Sequence, residues 1–168
     1  HRDLHSFPTR RSSDLGVDLM TIHSVGGKAM IRAAKDAALS CGAKAPKILA
    51  VTVLTSLDQS DLSDIGVTRE MRAQVESLGR LACENGADGI VCSPKEVANM
   101  RAALGPKALL VTPGVRPAGA DVGDQKRVAT PGQAVKDGST HLVVGRPILE
   151  ASDPCAAARS IAAEMAGA

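Results

Sequence analysis

From Gly16 onward, short aliphatic runs alternate with longer stretches whose apolar residues recur at helical spacing. The strand-like runs are residues 19–22, 48–54, 89–92, 109–112 and 141–144. Each is rich in Val, Ile or Leu and is followed by a cluster of Gly, Pro, Ser or Thr. Residues 28–39 and 71–84 carry helical periodicity, the second through Val75, Leu78 and Ala82, with Gly86 beyond its end. Other helices are marked by their starts. Ser93-Pro94-Lys95-Glu96 places a capping Ser, a Pro at the first helical position and a Glu at the third, which predicts a capping box before a helix over 97–104 that Gly105 stops. Thr130-Pro131-Gly132-Gln133 repeats the device, with Gly138 closing that helix, and Asp153-Pro154 opens a last one from Cys155 to about Ala166.

Strand and helix in strict alternation predict successive βα units and a parallel sheet. Such units build either an open doubly wound sheet or part of an eight-stranded barrel. The unusual chemistry falls just after the strands' C-terminal ends each time, which favours the (β/α)8 arrangement, whose active face lies there. A whole barrel takes about 250 residues, so the α/β fold expected for 168 residues is an incomplete TIM barrel. Residues 16–168 would be the C-terminal part of a single barrel domain, about its last five βα units.

Residues 1–15 stand outside this pattern. The chain opens His1-Arg2-Asp3-Leu4 with no initiator Met, and residues 5–15, HSFPTRRSSDL, resemble the translation of a common sequencing-library adapter. The alternative is a Ser/Arg-rich disordered tail. Either way the expectation is a non-native or disordered leader that carries no part of the fold.

Composition narrows the function classes. There is no Trp or Tyr, and the single Phe, Phe7, falls in the leader, so the core must be built from Ala, Val, Leu and Ile. That suits parallel strands covered on both faces and does not suit a module that stacks nucleic-acid bases on aromatic rings. A net charge of +2 gives no argument for nucleic acid or a membrane surface as partner. Cys41, Cys83, Cys92 and Cys155 lie far apart with no C-x-x-C pair, which leaves no metal-ligand spacing and reads as reduced, buried thiols of a cytoplasmic protein. No apolar run reaches membrane-spanning length.

Four segments carry candidate chemistry. Residues 113–129, PGVRPAGADVGDQKRVA, join a strand to a capped helix by far more residues than the join needs. Long loops in compact domains are usually binding loops. This one holds Arg116, whose planar fork matches phosphate, and Gln125 between Asp124 and Lys126. Val144-Gly145-Arg146-Pro147 follows the last strand, where a Gly lets backbone N–H groups approach an anion and Arg146 adds charge-assisted bonds. Either segment alone could be a solvated turn; together, after consecutive strands, they form a phosphate-site signal. Thr55 and Ser56 put hydroxyls at the mouth of a buried strand, for a ligand or for the turn itself. His23, after the first strand, is expected to be a structural hydrogen-bonder. No Ser/His/Asp or Cys/His arrangement and no nucleotide-binding glycine motif is present.

Taken in order, GVDLMTIHSVGGKAM, LAVTVLTSLDQSDL, GADGIVCSPKE, LLVTPGVRP, GDQKRVATPGQA and HLVVGRP resemble the orotidine 5'-phosphate decarboxylase family. The resemblance implies a (β/α)8 barrel that acts as a homodimer on the small molecule orotidine 5'-phosphate, without metal or organic cofactor, in the synthesis of UMP. It makes Arg146 and the Gly145 backbone phosphate ligands and puts Arg116 on the same side. Gln125 would reach from its loop to phosphate and pyrimidine, and Thr55 would contact the nucleotide near its base. The family's catalytic Asp-x-Lys-x-x-Asp motif precedes the strand at which the resemblance begins, and no such motif occurs in this chain. The resemblance therefore implies the binding half of a lyase without its catalytic array, inactive by itself. Two other readings are a related barrel decarboxylase acting on keto-sugar acid phosphates, which need not share the GVRP…GDQ loop, and a non-catalytic phosphate-binding module.

Overall fold

A computed structural model describes residues 16–117 and 127–168. Five parallel strands form one sheet: β1 (Leu19–His23), β2 (Lys47–Val51), β3 (Gly89–Val91), β4 (Leu109–Thr112) and β5 (His141–Leu142). Their spatial order is their chain order, β1-β2-β3-β4-β5. A doubly wound sheet reverses its strand order at a switch point, whereas a barrel adds each strand to the same side of the last. The topology is that of consecutive barrel units.

The α-helices are α1 (Gly27–Leu39), α2 (Gln59–Asp64), α3 (Met71–Glu84), α4 (Val97–Leu104) and α5 (Pro131–Lys136) between the strands, and α6 (Arg146–Leu149) and α7 (Pro154–Ala166) after β5. Strand register explains which face they cover. Ala50, Ile90 and Leu110 are aligned neighbours across β2, β3 and β4, and all three are fully buried. Side chains alternate across a sheet, so these three share the face on which Val75 and Ala82 of α3 and Val97 and Met100 of α4 build the core. Val51, Val91 and Val111 form the matching row on the opposite face.

Most expected helix starts are present. Ser93 accepts a bond from the Lys95 N–H, Thr130 from Gln133, and Asp153 from Ala156, each followed by Pro. Gly105 and Gly138 take positive φ, +78° and +109°, where the chain must leave the helix. The capping box at residues 93–96 is a correction: Ser93 caps, but the Glu96 carboxylate is drawn away to Arg127 at 2.5 Å. The complete capping box sits instead at α2, a six-residue helix outside the expected elements. Asp58 Oδ1 accepts from Ser60 and Asp61, while Asp61 Oδ2 accepts from the Asp58 N–H.

Candidate active site

The C-terminal edge of the sheet gathers the described candidates. Thr55 follows β2, Arg116 follows β4, and Gly145 and Arg146 follow β5. Because β4 and β5 are adjacent, the arginine-bearing segments are neighbours, while Thr55 lies two strands from Arg116, about 10 Å by ordinary strand spacing. Gln125 lies outside the described residues.

Local bonding positions each of them. Thr52 anchors the chain leaving β2, its N–H and hydroxyl both donating to the Val91 carbonyl. Asp58, capping α2, fixes the other end of this turn, and Thr55 between them is buried. After β4, the bridge between Val115 and Ala129 and the bond from the Arg116 N–H to the Ala129 carbonyl bring the two feet of the long connection together. The Arg116 side chain is buried and donates to the Val115 carbonyl. Gly145 stands one residue before α6, and among the described residues a Cβ built on it would meet nothing within 4 Å. Its surroundings do not crowd it, so the backbone there is open to an approaching group. Arg146, the first residue of α6, is exposed.

A buried ion pair at this edge was missed from the sequence. Arg127 NH1 donates to Glu96 Oε1, and its NH2 donates to the carbonyls of Val53 and Leu54 at 3.4 and 2.9 Å. Ser93 Oγ donates to the Arg127 carbonyl at 3.0 Å. Beside the pair lies Cys92, whose thiol is pushed up to about 12, first by burial and then by the charge of Glu96.

Two further expectations are corrected. His23 is exposed and its ring does not cap the turn it precedes, so among the described residues the structural hydrogen bond expected there is not made. The thiols are free, but only Cys92 is buried; Cys41 and Cys83 are partly exposed and Cys155 is exposed. Among the described residues no three His, Cys, Asp or Glu side chains are grouped to hold a metal, and no helix is long and apolar enough to cross a membrane.

A family model for the orotidine 5'-phosphate decarboxylase / HUMPS family matches residues 8–161. The chain belongs to that family. Orotidine 5'-phosphate decarboxylase of Moorella thermoacetica is 52% identical over 156 residues, a match covering 90% of this chain and 62% of that protein. The enzyme of the same name from Anaeromyxobacter dehalogenans strain 2CP-1 is 52% identical, covering 96% and 72%. The solved orotidine 5'-phosphate decarboxylase of Lactobacillus acidophilus superposes with a TM-score of 0.83 at 39% identity, over 96% of this chain and 69% of that one. The chain thus spans roughly two thirds of its relatives' length, 62% of the first. Relatives of known name at this identity are orotidine 5'-phosphate decarboxylases, which does not favour the keto-sugar alternative.

Proposed function

We propose that the chain carries the nucleotide-binding part of an orotidine 5'-phosphate decarboxylase, a lyase that converts orotidylate to UMP and CO2. The observation that carries this reading is the grouping of Thr55, Arg116, Gly145 and Arg146 at one sheet edge of a chain in this family. A nucleotide separates base from phosphate by its ribose. Two arginine-bearing segments on adjacent strands, with a buried Thr two strands away, match those two ends.

In this reading Arg146 and the open backbone at Gly145 bind the phosphate, Arg116 adds charge beside them, and Gln125 contacts phosphate and pyrimidine. Thr55 meets the base. Phosphate is remote from the bond that breaks, so its binding energy serves catalysis only by positioning substrate against the reacting groups. Those groups, the Lys and Asp of the family motif, are not in this sequence, and the 168-residue chain is proposed to be inactive alone. The homodimer, a cytoplasmic location and the non-native nature of residues 1–15 belong to the same proposal.

Arg146→Ala tests it in the whole protein. Loss of a charge-assisted contact worth about 1.5–3 kcal/mol lowers kcat/KM for orotidylate roughly ten- to a hundred-fold. Orotidine lacking phosphate should lose little. Equal losses on the two substrates would overturn the phosphate assignment.

A further inference from the structure

We infer that Arg127 is a positioning residue: it holds the backbone that carries Thr55 in place, and Glu96 holds Arg127. This rests on the reading of Thr55 as the contact to the base. The guanidinium reaches across the sheet edge from the connection after β4 to the turn after β2, where its NH2 bonds the carbonyls of Val53 and Leu54, the two residues that precede Thr55. Its NH1 is bonded to Glu96, at the end of the 3-10 turn after β3. Its own carbonyl accepts from Ser93. One residue therefore ties together the segments after three consecutive strands. The carbonyls it bonds lie on the base side, and the connection it ends begins at Arg116 on the phosphate side.

The chemistry of the pair argues against a role in stability alone. Glu96 and Arg127 are 6% and 8% exposed, and among the described residues Glu96 Oε2 and Arg127 Nε have no hydrogen-bond partner. Desolvating two charges while leaving a lone pair and an N–H unpaired is a poor way to stabilise a fold, and well-packed apolar side chains of similar volume do as well or better. What an apolar pair cannot do is aim donors at two particular carbonyls. Leu54 is half exposed, so its side chain contributes little packing to fix this turn.

The test uses the 168-residue chain, with UMP and ribose 5-phosphate as probes and amide hydrogen exchange as the structural readout. Arg127→Lys keeps a cation opposite Glu96 but loses the fork. It should speed exchange at residues 53–57 while β2 and β3 stay protected. It should also weaken UMP about ten-fold, the scale of one lost hydrogen bond, and leave ribose 5-phosphate within about two-fold. Adding Thr55→Ala to Arg127→Lys should then cost UMP little more, since the two act on one contact. Glu96→Gln, which keeps an acceptor and removes the charge, should show the same pattern more weakly, and it carries the test if Arg127→Lys does not fold. Unchanged exchange at 53–57, or equal weakening of both probes, overturns the inference. An unmutated chain that binds UMP no better than ribose 5-phosphate overturns the reading of Thr55 instead, and that result is visible before any variant is made.

Discussion

Lys35 Nζ stands 2.7 Å from Asp88 Oδ2, joining the middle of α1 to the residue that enters β3. The same carboxylate accepts from the Ile48 N–H at 2.8 Å, and Lys47 Nζ approaches its other oxygen at 3.5 Å. This knot lies at the N-terminal edge of the sheet, opposite the candidate site, where barrels keep their stabilising contacts. Burial works to raise the Asp88 pKa, but the bonds from Lys35 and Ile48 and the charges of Lys35 and Lys47 outweigh it and hold the carboxyl below its ordinary value of 3.8.

A depressed carboxyl pKa stabilises the fold fully above the unfolded value and loses that contribution as pH falls through the folded one. Asp88→Asn should therefore cost roughly 1–2 kcal/mol at neutral pH, the low range for a bonded charge that is partly exposed. The cost should shrink towards zero in acid below the folded pKa. Urea melts of the two proteins at both pH values check this, and a difference independent of pH would count against it.

Gly89 and Leu109 make a second constraint at that edge. They are register partners in β3 and β4, and a Cβ on Gly89 would collide with the Leu109 backbone carbonyl. A flexible side chain could move aside; a carbonyl held in a sheet cannot without breaking the ladder. Gly89→Ala is expected to cost about 3 kcal/mol, the upper range for overpacking, and thermal melts measure it. At Gly145, where a Cβ meets nothing among the described residues, the same substitution should leave the melting temperature nearly unchanged.

The contrast between α2 and α3 shows what the sequence could convey. Val75, Leu78 and Ala82 recur on one face of α3, all of them buried, and that period predicted the helix with the bounds it has. The six residues of α2, QSDLSD, contain one apolar side chain, so no period exists to read. Only Asp58 and Asp61, spaced three apart, signal it. Strand starts were legible because parallel strands are continuous aliphatic runs, yet β5 is two residues long where four were expected. Pairing ends there as the chain turns into Gly145 and α6. Among the candidate site residues, Arg116, Gly145 and Arg146 can be suspected from local chemistry. The Arg127–Glu96 pair could not, because 31 residues separate its members and Glu96 already had a local explanation as a capping residue.

Thiol chemistry should follow the environments of the four cysteines. Cys92 is buried with its pKa near 12, and burial followed by the charges of Asp88 and Glu84 raises Cys83 to about 11. Thiolate is the reactive form, so at pH 8 only about one part in ten thousand of Cys92 can react. Iodoacetamide labelling followed by mass spectrometry should modify the exposed Cys155 first and leave Cys92 unlabelled until denaturant is added. Early labelling of Cys92 in the native protein would contradict the packing around Arg127.

The last expectation concerns the 168-residue polypeptide by itself. Among the described residues β1 pairs only with β2 and β5 only with β4, so each sheet margin presents backbone donors and acceptors on one side. Unpaired strand edges are templates for pairing with another chain. Apolar side chains lie near both: Val25 at 71% exposure just after β1, and Val143 and Leu149 at 52% and 77% after β5. Edge and apolar surface together favour association, because hydrogen bonds give register and burial gives free energy. Light scattering on purified material should show oligomers whose mass rises with concentration. Val143→Lys, which places a charge beside the β5 edge, should lower that mass without lowering the melting temperature. A monodisperse monomer at every concentration, with or without the lysine, would mean that the margins are covered within one chain.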